Sequence, residues 1–157
     1  LTSPFLEKAI YESCKIKKAV VEKDEKEKGL RKILNFGHSF AHAYEATLGF
    51  SKKLNHGEAV ILGMKTALNF SLKTKFMNIR EYYSIIDHID NSDLPSSVSK
   101  FFGPKDVNKI LSFMAKDKKN KSNNINLVLL KKIGAPMINK EYSKKKIGLF
   151  LKIFLRN

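Results

Sequence analysis

The chain has 157 residues, 43% hydrophobic and 29% charged, with 30 Lys+Arg against 15 Asp+Glu and a formal net charge of +15. This is about one ordinary domain with enough apolar residues for a real core, which excludes a disordered polymer, and no apolar run approaches the roughly 20 residues that span a bilayer. The charge invites a phosphate backbone as partner, yet the arginines are only Arg31, Arg80 and Arg156 and there is no Trp. Base readout favours Arg, and single-strand binding interleaves aromatics with cations, so nucleic-acid binding is the weaker reading.

Ser3 followed by Pro4 predicts a capped helix from Pro4 to about Lys28, ending in a solvated mixed-charge face from Glu22 to Lys28. Gly29 breaks it. Cys14, the single cysteine, has no disulfide partner in the chain and reads as a helix-packing residue. A second helix is predicted over about 37–48, ended by Gly49. A third covers about 56–76, with Gly57, Gly63 and Ala67 as small residues that permit close packing. A fourth, 80–89, carries Tyr82, Tyr83, Ile85 and Ile86 as its apolar stripe, and 91–100, with Pro95, reads as a loop. Pro104 restarts a helix to about Lys116, its buried face marked by Val107, Ile110, Leu111 and Met114. Residues 117–124 form a polar basic loop, 125–130 a strand, and Gly134-Ala135-Pro136 turns it into a short partner at 137–139. Ser143 caps a last helix to Arg156. The expected fold is mainly α: one helical domain over 1–157 with a small two-stranded β element. The opening Leu1-Thr2-Ser3-Pro4 has neither Met nor a signal pattern and reads as the start of a piece of a longer chain.

Three of the four histidines fall in one window. His38 and His42 are four apart, so a helix projects both from one face. His56 opens the next apolar run beyond Gly49, and an antiparallel return brings it toward that pair. Neutral imidazole is a common ligand for zinc and its neighbours in the divalent series, so a metal site is the first hypothesis. A catalytic zinc takes three protein ligands plus an open position, and if His42 has another task only two are supplied. Glu45 and Glu58 are candidate carboxylates, each as easily solvent-facing or capping, and the third ligand stays unassigned. His88 reads as surface, Arg31 as an exposed helix residue and Asn35 as a helix cap. The Asp117 to Lys121 loop is by default a solvated turn, whose lysines can also hold a phosphate or carboxylate.

Together, Lys17 to Val21, Asp24 to Arg31, Gly37-His38-Ser39-Phe40-Ala41-His42, His56-Gly57-Glu58, Gly63-Met64, Lys116 to Lys119 and Ile133-Gly134 resemble, in that order, the carboxyl-terminal domain of the 3-dehydroquinate synthase family. The resemblance implies a shikimate-pathway enzyme that converts 3-deoxy-arabino-heptulosonate 7-phosphate to 3-dehydroquinate and phosphate, using NAD and a divalent metal, zinc or cobalt. It implies His38 and His56 as metal ligands, with a third, a glutamate, upstream of this chain's first residue. It implies His42 as proton relay, Lys17 and Arg31 at the substrate's carboxylate and hydroxyl end, and Asn35 with Lys118 or Lys119 at the phosphate. It further implies a separate NAD-binding domain outside these 157 residues, without which the chain is inactive, a homodimeric full enzyme, and a cytoplasmic or plastid location. Ser39 and Ala41 stand where the family usually has Thr and Gly, changes expected to leave the site intact. The competing readings are another sugar-phosphate cyclase, a related NAD- and metal-dependent polyol dehydrogenase, and a basic helical nucleic-acid-binding domain.

Overall fold

A nineteen-residue helix, α1 (Phe5–Lys23), opens the computed structural model, which describes residues 2–94, 97–116 and 124–156. The chain divides into two compact units, Leu1–Asn35 and Phe36–Asn157. In the first, α1 stops at Lys23, earlier than its charge pattern suggests. Its cap position is Pro4, with no side-chain cap bond, so Ser3 does not hold that role. No residue of α1 is buried and Cys14 is exposed, which corrects its reading as a packing residue: its side chain lies in solvent among the described residues. The helix ends because Asp24 competes for backbone donors, as short acidic side chains do. Its carboxylate accepts from the N–H groups of Lys28, Gly29 and Arg31 at 2.9, 2.7 and 2.9 Å, which converts the expected helical tail into a tight loop. A 3-10 turn, Leu30–Asn35, follows.

The second unit is built on a helical hairpin, α2 (His38–Thr47) and α3 (His56–Lys73). Gly37 caps α2 in the left-handed region, φ 80°, where glycine costs nothing sterically. A Cβ on Gly37 would sit 2.6 Å from the Met64 backbone N, and one on Gly63 would strike the Gly37 carbonyl and come within 2.9 Å of Ala41 N. The start of α2 thus touches the middle of α3, while Glu45 late in α2 touches His56 at the start of α3. The two helices are antiparallel. Tyr44, fully buried, donates or accepts across them with Thr66 at 2.8 Å, and burial pushes its hydroxyl pKa well above the usual phenol value. α3 ends at Lys73, short of Phe76, because Lys75 turns left-handed at φ 60° and Phe76 and Met77 both donate to the Ser71 carbonyl.

α4 (Ile79–Asp90) is capped by the Asn78 side chain, which accepts from Glu81 N at 2.9 Å. It buries Ile86 and Ile89 with Tyr82 and Ile85 packed alongside, while Tyr83 is exposed. The stripe therefore runs Tyr82, Ile85, Ile86, Ile89, the i, i+3, i+4, i+7 spacing, rather than through Tyr83. A 3-10 turn at Pro104–Asp106 precedes α5 (Val107–Ala115), which buries Val107, Ile110, Leu111 and Met114. The Lys109 ammonium donates to the Thr47 carbonyl at 2.8 Å and ties α5 to the end of α2.

The β element is larger than expected. β1 (Asn124–Lys132) pairs antiparallel with β2 (Ala135–Ser143), so Ala135 and Pro136 belong to the second strand and the turn lies at Ile133-Gly134, with Gly134 at φ 75°. A two-stranded sheet leaves every strand an edge, which is where Pro is tolerated. β1 buries Ile125, Leu127 and Leu129 in strict alternation. It is pinned to the hairpin twice, by Ser39 Oγ to the Asn126 carbonyl at 3.2 Å and by Leu130 N to Ser71 Oγ at 3.2 Å. Ser143 caps α6 (Lys144–Phe154) by accepting from Lys146 N, and α6 closes the core with Ile147 and Leu151. The fold is mainly α with a small antiparallel β element, and no described helix is long and apolar enough to cross a membrane.

The α2–α3 approach generates a direct test. Gly63→Ala overpacks the crossing and should lower unfolding free energy by about 1–3 kcal/mol. Gly57→Ala, with open space around its Cβ, should be neutral or stabilising by up to ~1 kcal/mol. Equal stability of the two variants in denaturant titrations would show that the crossing is not close-packed.

Candidate metal and proton-transfer site

Three imidazoles converge in the second unit. His38 and His42 lie on one face of α2, and His56 is the first residue of α3. Ring centroids are 5.6 Å apart for His38–His42, 5.8 Å for His38–His56 and 6.0 Å for His42–His56. The antiparallel hairpin explains this, because the 48–55 connection returns the chain beside the His38–His42 face. Phe50, at φ 53°, helps close that connection by donating its N–H to the Glu45 carbonyl at 2.8 Å.

The surroundings assign the ring hydrogens. His56 Nδ1 lies 3.1 and 3.2 Å from the two Glu45 carboxylate oxygens, and His38 Nδ1 lies 3.3 Å from the Phe36 carbonyl. Both partners are acceptors, so in the neutral rings Nδ1 carries the proton and Nε2 the lone pair, the form in which imidazole binds metals. His42 is exposed. It opens onto a cavity of about 280 Å³ that Ser39, Phe50, Phe113 and Lys116 help to line.

The two carboxylates weighed from sequence have distinct tasks. Glu58 caps α3, accepting from Asn55 N at 2.7 Å. Glu45 is not solvent-facing: its side chain is 13% exposed and bonded to His56, whose own side chain is 58% exposed. Nitrogen and oxygen donors of His42, Glu45 and His56 all lie within 4.8 Å of one another. Glu45 follows His42 by three residues and His38 by seven, so helical spacing alone carried the signal that it shares their face.

Lys17, Arg31 and Asn35 belong to the first unit. Lys17 is exposed on α1. Arg31 is not an exposed helix residue but half-buried in the 3-10 turn, its guanidinium donating to the Glu25 carbonyl at 2.7 Å. Asn35 caps no helix. Its amide donates to Glu27 Oε1 at 2.6 Å, and Gly37 takes the cap of α2 because that position demands a left-handed backbone. Sequence reasoning missed both Glu27 and the Asp24 hub. The mixed-charge run disguised them as a solvated helix end. His88 is exposed, as its lack of a partner motif suggests. Lys118 and Lys119 lie outside the described residues.

Comparison with known proteins places the chain in a family. Residues 1–120 match the family described as 3-dehydroquinate synthase C-terminal. The chain is 59% identical over 152 residues to the 3-dehydroquinate synthase of Pelagibacter ubique (strain HTCC1062), covering 97% of this chain and 41% of that protein. It is 44% identical over 126 residues to that of Endomicrobium trichonymphae, covering 80% of this chain and 33% of the relative. It thus spans about two-fifths of such relatives or less. A crystal structure of 2-deoxy-scyllo-inosose synthase, complexed with carbaglucose-6-phosphate, NAD+ and Co2+, superposes with a TM-score of 0.77 at 23% identity, covering 99% of this chain and 43% of that one. At that identity the likeness concerns the fold.

The Asp24 hub makes a pH-dependent prediction. Three backbone N–H bonds, that from Arg31 foremost, hold its carboxyl below the usual carboxylate pKa. A lowered folded-state pKa contributes stability that is full above the unfolded value of ~3.9 and is lost as pH falls through the lowered one. Asp24→Asn should lower the exchange protection factors of the Lys28, Gly29 and Arg31 amides at neutral pH, and acidification through the lowered carboxyl pKa should lower those factors, corrected for the intrinsic pH dependence of exchange, in the unsubstituted chain. Unchanged exchange in the variant would contradict the hub.

Proposed function

The chain belongs to the 3-dehydroquinate synthase family, and from that premise we propose that it supplies the metal- and proton-handling residues of a 3-dehydroquinate synthase. In this reading the full enzyme is NAD- and metal-dependent, cytoplasmic and dimeric, and forms 3-dehydroquinate and phosphate from 3-deoxy-arabino-heptulosonate 7-phosphate. The observation that carries the proposal is the cluster of three imidazoles within 6.0 Å of one another.

The donor set fits a divalent metal such as zinc or cobalt, because the two rings, when neutral, present Nε2 lone pairs and nitrogen donors suit both ions. His38 and His56 would hold it, with a further ligand from outside this chain, as the family resemblance implies. When bound, such a metal acts as a Lewis acid that makes a coordinated hydroxyl easier to deprotonate. His42, exposed beside that pair, accepts the hydroxyl proton at a ring nitrogen and returns it later, the general acid–base role to which imidazole is suited near neutral pH. The cavity beside it is partly apolar, with Phe50 and Phe113 in its lining. Lys17 and Arg31 neutralise the substrate's carboxylate end, Arg31 with a fork that matches a carboxylate bidentately, and Asn35 with Lys118 or Lys119 binds the phosphate. The sequence contains no Gly-x-Gly-x-x-Gly segment, so no residue of this chain is assigned to NAD.

Two measurements test the proposal. Co2+ titration of the chain, followed by visible absorption, should give an imidazole-bound spectrum. His38→Ala and His56→Ala should each weaken binding by more than the roughly 10–100-fold typical of outer-shell changes, and His42→Ala by much less. Equal affinity in all three variants would remove the ligand assignment. Incubated alone with NAD, metal and the heptulosonate phosphate, the chain should release no phosphate. Turnover of about 1–10³ s⁻¹ would show that these residues hold a complete enzyme.

A further inference from the structure

We propose that Glu45 is a positioning residue that fixes the tautomer and ring orientation of His56; the inference rests on the reading of His56 as a metal ligand. His56 is a side chain in need of such support. It stands at the first position of α3 with 58% of its side chain exposed, and no other hydrogen bond fixes its ring among the described residues. Glu45 is the converse, a side chain 13% exposed and rooted in α2. Both of its oxygens lie within hydrogen-bond distance of the same nitrogen, at 3.1 and 3.2 Å. An ionised carboxylate only accepts. In the neutral ring the proton is therefore held on His56 Nδ1, and Nε2 is presented as the lone-pair donor. A ring left to itself would divide between tautomers and rotate, and every misplaced state subtracts from metal affinity.

Position on the helix supports the same role. Glu45 shares the face of His38 and His42 at i+7 and i+3, so one rigid helix carries both the His38 ring and the group that aims His56 at it. The alternative is direct ligation by Glu45, within the His42–Glu45–His56 donor cluster. That would take the carboxylate away from Nδ1 and leave the exposed His56 ring without a restraint. Orientation through a carboxylate is the general companion of a metal-bound imidazole, and its loss costs about 10–100-fold in affinity.

The test uses the chain with ¹⁵N-labelled histidine and two variants, Glu45→Gln and Glu45→Ala. In the metal-free protein, His56 nitrogen shifts should report a predominantly Nδ1–H ring. Glu45→Gln, whose carbonyl still accepts, should preserve that state, and Glu45→Ala should move it toward a tautomer mixture. Co2+ affinity by competition with a chromophoric chelator should fall about 10–100-fold in Glu45→Ala and less in Glu45→Gln. The saturated Co2+ absorption spectrum should be the same in all three proteins. An unchanged tautomer in Glu45→Ala overturns the inference, and so does a spectrum altered in both variants, which marks Glu45 as a ligand. Neither result touches the histidine assignment, which fails only if His38→Ala and His56→Ala bind Co2+ as the unsubstituted chain does.

Discussion

The second unit depends on one close approach, the backbone of Gly37 lying against that of Gly63. Neither residue tolerates a Cβ there, and Ala41 fits one turn further along because position 63 has none. Short helices are marginal by themselves and gain most of their stability from a packed face. The ten residues of α2 are therefore held by contact with α3 rather than by propensity. The same contact fixes the registration of the two helices. Sliding α3 by one turn would move His56 by about 5.4 Å, nearly the full 5.8 Å that separates its ring from that of His38. Helix packing thus sets the dimensions of the site.

Much of this was legible in the sequence, for reasons that differ by element. The α5 face of Val107, Ile110, Leu111 and Met114 and the capping of α6 by Ser143 depend on local pattern, and local pattern was present. The histidine cluster was legible because a four-residue spacing and a glycine-ended turn are both short-range signals. What failed was competition between local choices. Glu22 to Lys28 has helical charge spacing, yet Asp24 offers three backbone donors a better acceptor than a further helical turn would provide. Tyr83 and Tyr82 are equivalent by composition, and only the crossing of α4 over the core decides that Tyr82 is covered. The length of β2 was hidden by Pro136, which argues against a central strand but not against an edge.

Ser39 illustrates how one motif residue can link layers. Its hydroxyl sits between two site histidines in sequence, but its bond goes to the Asn126 carbonyl of β1. That bond anchors the small sheet to the helix that carries the site, and Ser71 repeats the arrangement further along the same strand at Leu130. A hydroxyl is what position 39 requires, which Thr and Ser supply equally.

The unit's carboxylates narrow what a metal can find there. Glu58 is engaged at 2.7 Å with the backbone N–H of Asn55, and releasing it would uncap α3 at the residue next to His56. Glu45 is engaged with His56 Nδ1, and releasing it would free that ring to rotate. Each of these two acids is therefore more useful to the site through the backbone or ring it restrains than as a donor. The donors that remain are nitrogens, and an imidazole pair alone leaves a tetrahedral ion short of ligands. A site so composed is preorganised but open, with its geometry set by the α2–α3 crossing.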